Sequence, residues 1–355
     1  MEIREVLASD VEKIISFHNA AYGDDRRPEH WMWEYKENNP DSFVFTIIKD
    51  EKQIIATQGM IPIYIYVRGR RLLSGKSEST LLHPKYRGGG LFQNLYEFAV
   101  SLCKAKGMKC IWGYTSAVKA FRRFQFRIYE DVMYASVSIL DLRCALAGVH
   151  EQNIDMMKKV VRSLALFLSW LYASMLRVTC RSSSRGLLVR ERLADQQDIA
   201  NLYERLENRC PDLIHISLGE RYLRWRIYNH PIFKYRTYFV YENDLLRAYA
   251  FVNTHDRRMA YLTDLTFESV NAGKFLLQRV LNEMRAEAIG AVTFWGNKRN
   301  PIIKRTFKLL QGFGFLRRRT SMHFVLRNLS FGDEESLLDV TNWYMNGLWT
   351  EGYRM

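Results

Sequence analysis

The residues between positions 81 and 92 carry the clearest chemical signal in this sequence, which reads Leu-Leu-His-Pro-Lys-Tyr-Arg-Gly-Gly-Gly-Leu-Phe. The three glycines, Gly88–Gly90, let a backbone come close to a ligand and point its amides at it. Arg87 precedes them and offers a planar fork of donors to phosphate oxygens. A helix is predicted to begin at Leu91, and its first turn adds N–H donors and partial positive charge. The pattern predicts a loop that binds a pyrophosphate group.

The elements around this loop must hold it in place. We predict a helix over 11–18, strands over 44–48, 54–57, 61–67 and 77–82, a helix over 91–102, a strand over 108–114, a helix over 117–124 and a strand over 132–140. Strands mixed with helices in this order predict an α/β (α+β) domain built around one sheet. The loop then lies between a strand and an amphipathic helix, the context in which such loops bind phosphates.

Short motifs in the sequence recur in the same order at a nearly constant offset. The matching segments are 4–8 and 190–194, 33–40 and 225–231, 111–113 and 294–296, and 124–126 and 313–315. Four ordered matches indicate a duplication, and the unit is far longer than a solenoid repeat. We therefore predict a first domain over 1–150 that holds the loop, a helical linker over 151–186, and a degenerate second domain over 187–355.

The predicted linker contains an uncharged stretch over 163–176 with basic residues on both sides. These fourteen residues are too few to span a bilayer. A helix that is apolar on nearly every side is normally buried in protein, whereas a helix on a membrane surface keeps one polar face. We expect a mostly buried linker helix, with any peripheral membrane contact weak and salt-dependent.

The composition limits the class of protein. With 48% hydrophobic and 25% charged residues, the 355-residue chain can fill a sizeable core, which excludes a disordered chain, a collagen and a disulfide scaffold. Five cysteines without a C-x-x-C pair, and no secretory signal, are typical of reduced thiols in a cytoplasmic protein without a zinc site. The net charge of +14 predicts an anionic partner: a phosphorylated cofactor, a nucleic acid or an acidic membrane face.

Two segments resemble the GNAT superfamily of N-acetyltransferases. His83–Phe92 is similar to the family's phosphate-binding motif, Arg/Gln-x-x-Gly-x-Gly/Ala, because Arg87 and Gly90 match and only Phe92 replaces a small residue. Such a bulky residue is familiar in acetyltransferases that resemble the enhanced-intracellular-survival group, which also contain tandem GNAT folds. Phe121–Phe126 is similar to the Tyr-Glu-Lys-Leu-Gly-Phe ending of the family's fourth helix.

The resemblance implies two GNAT-like mixed-sheet domains and an acyl-CoA-dependent N-acyltransferase without a metal. It implies that acetyl-CoA, as co-substrate, enters a V-shaped gap between the fourth and fifth strands. An amine would attack the thioester there, and backbone N–H groups would stabilise the oxyanion. The CoA-binding residues that it implies are Leu81, Leu82, Arg87, Gly88, Gly89, Gly90, Leu91, Phe92, Ser116 and Phe121.

Two positions depart from the family's catalytic pattern. Phe121 stands where a tyrosine commonly protonates the departing thiolate, and Ser116 stands near a common asparagine. A thiol with a pKa near 8.5 leaves readily as a thiolate, so a proton donor is helpful and not obligatory. The candidate general bases are Glu78 on the fourth strand and Tyr114 at the end of the fifth.

The second copy lacks the phosphate-binding pattern, since residues 268–274 contain one glycine, an acidic residue and no arginine. We expect it to have a structural role or to shape the acceptor site, and the aromatic segment 343–349 is typical of a docked tail. The acceptor pocket is expected around 22–30 and the loops after Phe126, where both charges occur.

Two other functions stay open. A Fem-type transferase, also a tandem GNAT fold, would use aminoacyl-tRNA and would suit the basic charge. The intact glycine loop argues against that function, and so against nucleic acid as a partner, without excluding tRNA. A non-catalytic acyl-CoA-binding module is compatible with the missing tyrosine at Phe121.

Overall fold

A computed structural model of the chain describes residues 1–51, 53–150, 155–180, 186–190, 195–254, 258–329 and 334–350. The predicted repeat segment at 191–194 and part of the linker boundary at 181–185 lie outside these residues.

Fifteen strands form within the described residues. They are β1 (Glu2–Glu5), β2 (Val44–Asp50), β3 (Gln53–Val67), β4 (Arg70–Leu82), β5 (Cys110–Thr115), β6 (Arg127–Tyr129), β7 (Met133–Ile139), β8 (Leu187–Arg190), β9 (Ile214–Ile216), β10 (Lys234–Glu242), β11 (Leu245–Thr254), β12 (Met259–Phe267), β13 (Ala291–Asn297), β14 (Leu316–Arg319) and β15 (His323–Asn328). The strands predicted over 54–57 and 61–67 are one strand, β3, because the residues between them stay paired with β2 and β4.

Eleven α-helices accompany these strands in the described part of the chain. They are α1 (Val11–Tyr22), α2 (Pro28–Met32), α3 (Leu91–Ala105), α4 (Val118–Arg123), α5 (Leu142–His150), α6 (Met156–Thr179), α7 (Gln196–Glu207), α8 (Glu220–Leu223), α9 (Val270–Ala286), α10 (Pro301–Gly312) and α11 (Glu334–Leu338). Two π-helical turns, Trp33–Glu37 and Arg224–Tyr228, continue α2 and α8.

The strands form two mixed sheets with the same order of positions. The first sheet runs β1-β2-β3-β4-β5-β15-β6, with β9 attached to β3, and the second runs β8-β10-β11-β12-β13-β7-β14. In each sheet one neighbouring pair is parallel, β4 with β5 and β12 with β13. The prediction of an α/β (α+β) fold with two mixed sheets is confirmed.

Each sheet takes a strand from the other half of the chain beside its fifth position, and the first sheet also takes β9, which pairs with β3. β7 pairs with β13 in the second sheet, and β15 pairs with β5 in the first sheet. Periodicity predicts that a strand exists but not which sheet receives it, so the sequence contained no sign of this exchange. The domain boundaries at 150 and 187 follow the order of the chain and stay a prediction.

A reciprocal tryptophan pair joins the two halves. The indole Nε1 of Trp33 donates to the carbonyl oxygen of Trp225 at 3.0 Å, and Nε1 of Trp225 donates to the carbonyl oxygen of Trp33 at 2.7 Å. The two rings are stacked with centroids 5.2 Å apart. Both residues begin or lie within the π-helical turns, so equivalent elements of the two halves meet at this point.

The prediction of a mostly buried linker helix is wrong. The helix α6 is 24 residues long, so it extends beyond the uncharged stretch over 163–176, and within it only Ala173 is buried. By length and composition alone α6 is the one described helix that could cross a membrane. The apolar residues do not bury the helix, because most of them lie on its exposed side. The side that faces the protein carries Ala173 and partly buried neighbours such as Ser163, Trp170 and Arg177.

Candidate active site

The parallel strands β4 and β5 separate partway along their length. Their pairing ends at Lys76 opposite Trp112, and a gap opens between the rest of the two strands. Just beyond this point the pairing of β4 with β3 shifts register between Thr57 and Gly59. The extra residues form a bulge at Ser79, whose φ of 49° lies in the left-handed region. A bulge re-aims the strand that follows it, here Leu81 and its neighbours at the edge of the gap.

Side chains of the neighbouring elements hold the bulge. The hydroxyl of Thr57 donates to the carbonyl oxygen of Ser79 at 2.8 Å. The amide of Gln58 donates to Ser77 Oγ at 3.1 Å. The hydroxyl of Tyr35 donates to Ser79 Oγ at 2.9 Å, and Gly59 makes room for it, because a Cβ there would lie 2.4 Å from the tyrosine oxygen. The strained backbone is therefore fixed by packing and hydrogen bonds.

The loop after β4 has the conformation that the sequence pattern predicts. Gly88 and Gly90 have φ values of 98° and 76°, which side chains rarely allow. Gly90 precedes the first residue of α3, and no side chain caps that helix. The amides at its start therefore remain donors for an anion. Tyr86 anchors the loop to β2 by donating to Asp50 Oδ2 at 2.9 Å.

A cleft of about 780 Å³ runs from the glycine loop into the gap. It is lined by Phe17, Ala20, Ala21, Tyr22, Thr80, Leu81, Leu82, His83, Pro84, Tyr86, Arg87, Gly88, Gly90, Phe92, Gln93, Ala117, Ala120, Arg123 and Phe124. Arg87 and Arg123 supply positive charge, and none of these lining residues is acidic. The remainder is mostly apolar or aromatic, so the cleft combines an anion-binding end with an apolar channel.

The structure brings most of the predicted CoA-binding residues together. Leu81, Leu82, Arg87, Gly88, Gly90 and Phe92 line the cleft, while Gly89 and Leu91 lie within the same loop and helix start. Ser116 is exposed at the end of β5 beside the lining residue Ala117. Phe121 is buried among the rings of Tyr96, Phe124 and Phe126 and does not line the cleft.

Sequence reasoning missed Arg123 and the end of α1 as parts of the cleft. Arg123 lies in the last turn of α4, directly before the aromatic ending that carries the resemblance. The paired arginines at 122 and 123 were a signal that could have identified it. Phe17 and its neighbours on α1 carry no such signal, because apolar helix residues usually belong to a core.

Glu78 lies on β4 beside the gap, two residues beyond the last pair with β5, and next to a buried lysine. It is not among the residues that line the cleft. Its carboxylate forms an ion pair with the ammonium group of Lys76, which is 2% exposed, while the Glu78 side chain is 28% exposed. Burial lowers the pKa of Lys76, and the charge of Glu78 opposes that shift. The same carboxylate raises the pKa values of Tyr22 and Tyr114, in both cases after the larger effect of burial. Both candidate bases, Glu78 and Tyr114, are therefore near each other.

The hydroxyl of Tyr114 is buried and has no hydrogen-bond partner in the described structure. Burial raises its pKa well above the usual value, so it is protonated at neutral pH. A protonated phenol donates a proton and is a poor base. The ring packs against Trp295 of the second sheet, with centroids 4.8 Å apart.

The predicted acceptor region around 22–30 contains a second buried ion pair. Arg26 donates to Glu34, which is 1% exposed and whose pKa is raised by burial against the effect of the arginine. Burial also lowers the pKa of His18 to about 4, so its ring is neutral beside Tyr22 at a centroid distance of 4.6 Å. Because Glu34 is buried and Glu78 is partly exposed, Glu78 is the more accessible of the two carboxylates to an acceptor.

In the second sheet, the corresponding gap holds the C-terminal segment 340–350. Asn346 forms an antiparallel bridge with Gly296 on β13, and its amide donates to Asp264 Oδ1 on β12 at 2.7 Å. The amide nitrogen of Asn297 donates to the carbonyl oxygen of Met345 at 3.0 Å. The aromatic tail is therefore docked, as predicted. A cavity of about 350 Å³ remains beside it, without a glycine loop or helix start among its lining residues.

Within the described residues, no cluster of three or more His, Cys, Asp or Glu side chains could hold a metal ion.

Comparison with known proteins agrees with this geometry. Residues 2–129 match the family model for the acetyltransferase (GNAT) domain. This match covers about a third of the chain and makes its first part similar to a GNAT acetyltransferase domain.

Solved structures with the same fold cover nearly the whole chain. One is a conserved protein of unknown function from Enterococcus faecalis V583, a probable N-acyltransferase, with a TM-score of 0.63, 9% identity, and coverage of 95% of this chain and 74% of that one. GCN5-related N-acetyltransferases from Kribbella flavida and Anabaena variabilis ATCC 29413 give TM-scores of 0.58 and 0.59 at 14% and 11% identity. These two matches cover 92% and 94% of this chain, and 72% and 74% of the Kribbella and Anabaena chains. At these identities the likeness concerns the fold alone. No curated protein matches the sequence significantly.

Proposed function

We propose that the protein transfers an acetyl group from acetyl-CoA to an amine, with the donor bound in the cleft between β4 and β5. The observation that carries this proposal is the combination of an uncapped helix start, two left-handed glycines and Arg87 at one end of an apolar cleft. A pyrophosphate fits such an end, since amides, helix dipole and guanidinium all favour negative charge.

The remaining length of the cleft suits the pantetheine arm. Leu81, Leu82 and Phe92 give it apolar walls, and the exposed edge of β4 beyond Lys76 offers backbone groups that β5 no longer pairs. An extended ligand with amides can pair with such a strand edge. The thioester would then lie near the bulge at Ser79, close to Glu78.

The reaction at this point needs few groups. The amine nitrogen attacks the thioester carbonyl carbon, a C–N bond forms, and the C–S bond breaks with the electron pair leaving on sulfur. Backbone N–H groups stabilise the oxyanion, and holding the two substrates together supplies much of the rate. Glu78 is the proposed base that takes the proton from the amine. The buried, protonated Tyr114 is proposed as a donor and not as a base.

The acceptor is proposed to approach from the side of α1. Glu78 is a partly exposed carboxylate there, whereas Arg26 neutralises the buried Glu34. Exposed carboxylates there also include Asp24, Asp25 and Glu29. This arrangement favours a cationic amine, since a carboxylate at the opening attracts positive charge.

Calorimetric titration with CoA tests the donor site. We expect Arg87→Ala to weaken binding about 10- to 100-fold, as for the loss of a charge-assisted contact. Lys85→Ala is the matched control, because Lys85 is an exposed cation of the same loop that does not line the cleft. Equal affinity of the Arg87→Ala variant and the wild type would overturn the assignment. A mass-spectrometric screen of amines with labelled acetyl-CoA then identifies the acceptor.

We also infer that the two halves arose by duplication of one domain. The identical order of strand positions and the reciprocal pair of Trp33 and Trp225 support this inference. The exchange of β7 and β15 would then have made the two copies mutually dependent, because each sheet needs a strand of the other.

A further inference from the structure

The helix α6 exposes an unusual amount of apolar surface. Of the twenty large hydrophobic side chains that are exposed among the described residues, eleven belong to α6, and each is between 41% and 75% exposed. They are Met156, Met157, Val160, Val161, Leu164, Phe167, Leu168, Leu171, Tyr172, Met175 and Val178. At about 100° per residue they cover about half of the helix circumference. Such a continuous apolar surface marks a site of interaction.

The opposite side of α6 is fixed to the second sheet. Ala173 is fully buried against Gly314, where an added Cβ would lie 2.3 Å from the Cα of Ala173. The guanidinium of Arg177 donates to Ser138 Oγ at 3.0 Å and to the carbonyl oxygen of Ile139 at 3.1 Å, both on β7. The helix therefore presents its apolar half outward from a rigid support.

Every charged residue within α6 is basic. Lys158, Lys159 and Arg162 lie in its first two turns and Arg177 in its last, and no Asp or Glu lies between Met156 and Thr179. The edge strand β14 begins two residues after Gly314 and adds Arg317–Arg319. A surface that combines apolar side chains with only positive charge is complementary to anionic lipid.

We infer that α6 docks the protein onto the surface of an anionic bilayer, with the helix axis in the membrane plane. Its 24 residues span about 36 Å, at about 1.5 Å each. The apolar half enters the boundary between headgroups and acyl chains, and the basic residues at the rim contact lipid phosphates. This inference is independent of the proposed acyl transfer.

Two other occupants fit the observations less well. A second copy of the chain would bring like charges together, and a helix pair buries a seam narrower than half of a helix. A spanning orientation would require lipid on all sides of α6, whereas Ala173 and Arg177 hold one side against protein. A bilayer surface satisfies both the width of the apolar region and the sign of the charge.

Vesicle flotation with the full chain tests the inference. We expect the protein to float with vesicles of phosphatidylcholine and phosphatidylglycerol and to float much less with phosphatidylcholine alone. The double variant Leu164→Gln, Leu168→Gln should reduce partitioning about tenfold or more, because two exposed leucines no longer enter the apolar layer. Leu188→Gln is the control, because Leu188 is 55% exposed, like Leu168 at 54%, and lies on β8. Circular dichroism checks that each variant is folded.

The outcomes distinguish the occupants. Loss of flotation in the α6 double variant alone supports the membrane surface. Absence of flotation with anionic vesicles, or equal flotation of the double variant, overturns the inference. A concentration-dependent dimer that the same variant dissociates, without flotation, assigns the face to a second copy. Resistance to extraction at high pH would mean that α6 is inserted across the bilayer, which also overturns the surface orientation.

Discussion

In the first sheet, β4 and β5 separate beyond Lys76 and leave a cleft of about 780 Å³ that ends at a glycine loop. In the second sheet, β12 and β13 occupy the equivalent positions, but their gap holds the C-terminal segment 340–350. The segment contacts β13 through an antiparallel bridge between Asn346 and Gly296. The same order of strands therefore produces a ligand cleft in one sheet and part of the core in the other, according to what enters the gap.

The helices that begin beside the two gaps, α3 and α9, also differ: the first turn of α3 is uncapped and that of α9 is capped. α3 follows the left-handed Gly90 and has no side-chain cap. α9 is capped by Ser269, whose hydroxyl accepts from the amide of Ala272 at 3.2 Å. Glu268 precedes it and forms ion pairs with Arg205 and two further arginines, so the local cations are already paired with a carboxylate. An anion would gain little at α9, which agrees with the predicted loss of the phosphate loop there.

The largest effect should follow from removing a buried anchor of the C-terminal segment that enters the second gap. Trp343 is fully buried, its Nε1 donates to the carbonyl oxygen of Leu337 at 2.8 Å, and its ring packs on Phe324 and Trp349. We expect Trp343→Ala to lower the free energy of unfolding by about 3–5 kcal/mol, the usual cost of an aromatic cavity. Urea denaturation measures this change.

The matched variant in the first gap is Phe92→Ala. Phe92 lines the open cleft and is only partly buried, so its removal should affect CoA affinity more than stability. If both variants lost stability equally, the contrast between a filled and an open gap would be incorrect.

The free energy of unfolding should depend on pH through a buried carboxyl group in the second gap. Asp264 is fully buried between hydroxyls of Tyr249 and Tyr344, and burial raises its pKa to about 6 from an ordinary value of 3.8. The folded protein therefore holds this proton more tightly than the unfolded chain. The contribution of Asp264 to stability falls as pH rises from about 4 to 6, by about 3 kcal/mol at about 1.4 kcal/mol per pKa unit.

Denaturation midpoints at pH 4 and 7 measure this effect in the wild type and in Asp264→Asn. The variant should lose the part of the pH dependence that comes from this carboxyl. An unchanged difference between the two pH values would mean that Asp264 is not the group that titrates.

Turnover in the cleft of the first sheet should depend on Glu78. Glu78→Gln removes the proposed base, so we expect kcat to fall about 100-fold with little change in CoA affinity. Glu97→Gln is the control, since Glu97 also forms an ion pair, with Arg327 at 2.8 Å, but lies on α3 and not on the strands that form the gap. Equal losses in both variants would indicate a structural effect of lost ion pairs.

The sequence predicted the parts of the molecule that depend on local pattern. The strand, glycine loop and helix over 77–102 follow from alternation, glycine and apolar spacing, and the structure has them at those positions. The exchange of β7 and β15 could not be predicted, because each strand has the same pattern in either sheet. The exposure of α6 was predicted incorrectly for a related reason: periodicity locates an apolar face but not what covers it. Arg123 enters the cleft through the position of α4, which only the three-dimensional structure reveals.

The smallest effect is expected at Phe121, where the family commonly has a proton-donating tyrosine. The ring is 5% exposed and packs against Tyr96, Phe124 and Phe126, outside the residues that line the cleft. A hydroxyl at this position has no short path to the leaving sulfur, and a thiolate leaves readily without it. We therefore expect Phe121→Tyr to change kcat by no more than about threefold and to lower stability by about 1 kcal/mol, since a buried hydroxyl loses water.

Steady-state kinetics at pH 8 with the acceptor found in the amine screen measures the rate. An increase of tenfold or more would mean that the hydroxyl reaches the thiolate and that the cleft extends to position 121. Tight acetyl-CoA binding without turnover in both proteins would instead identify the open gap as the site of a non-catalytic acyl-CoA-binding module.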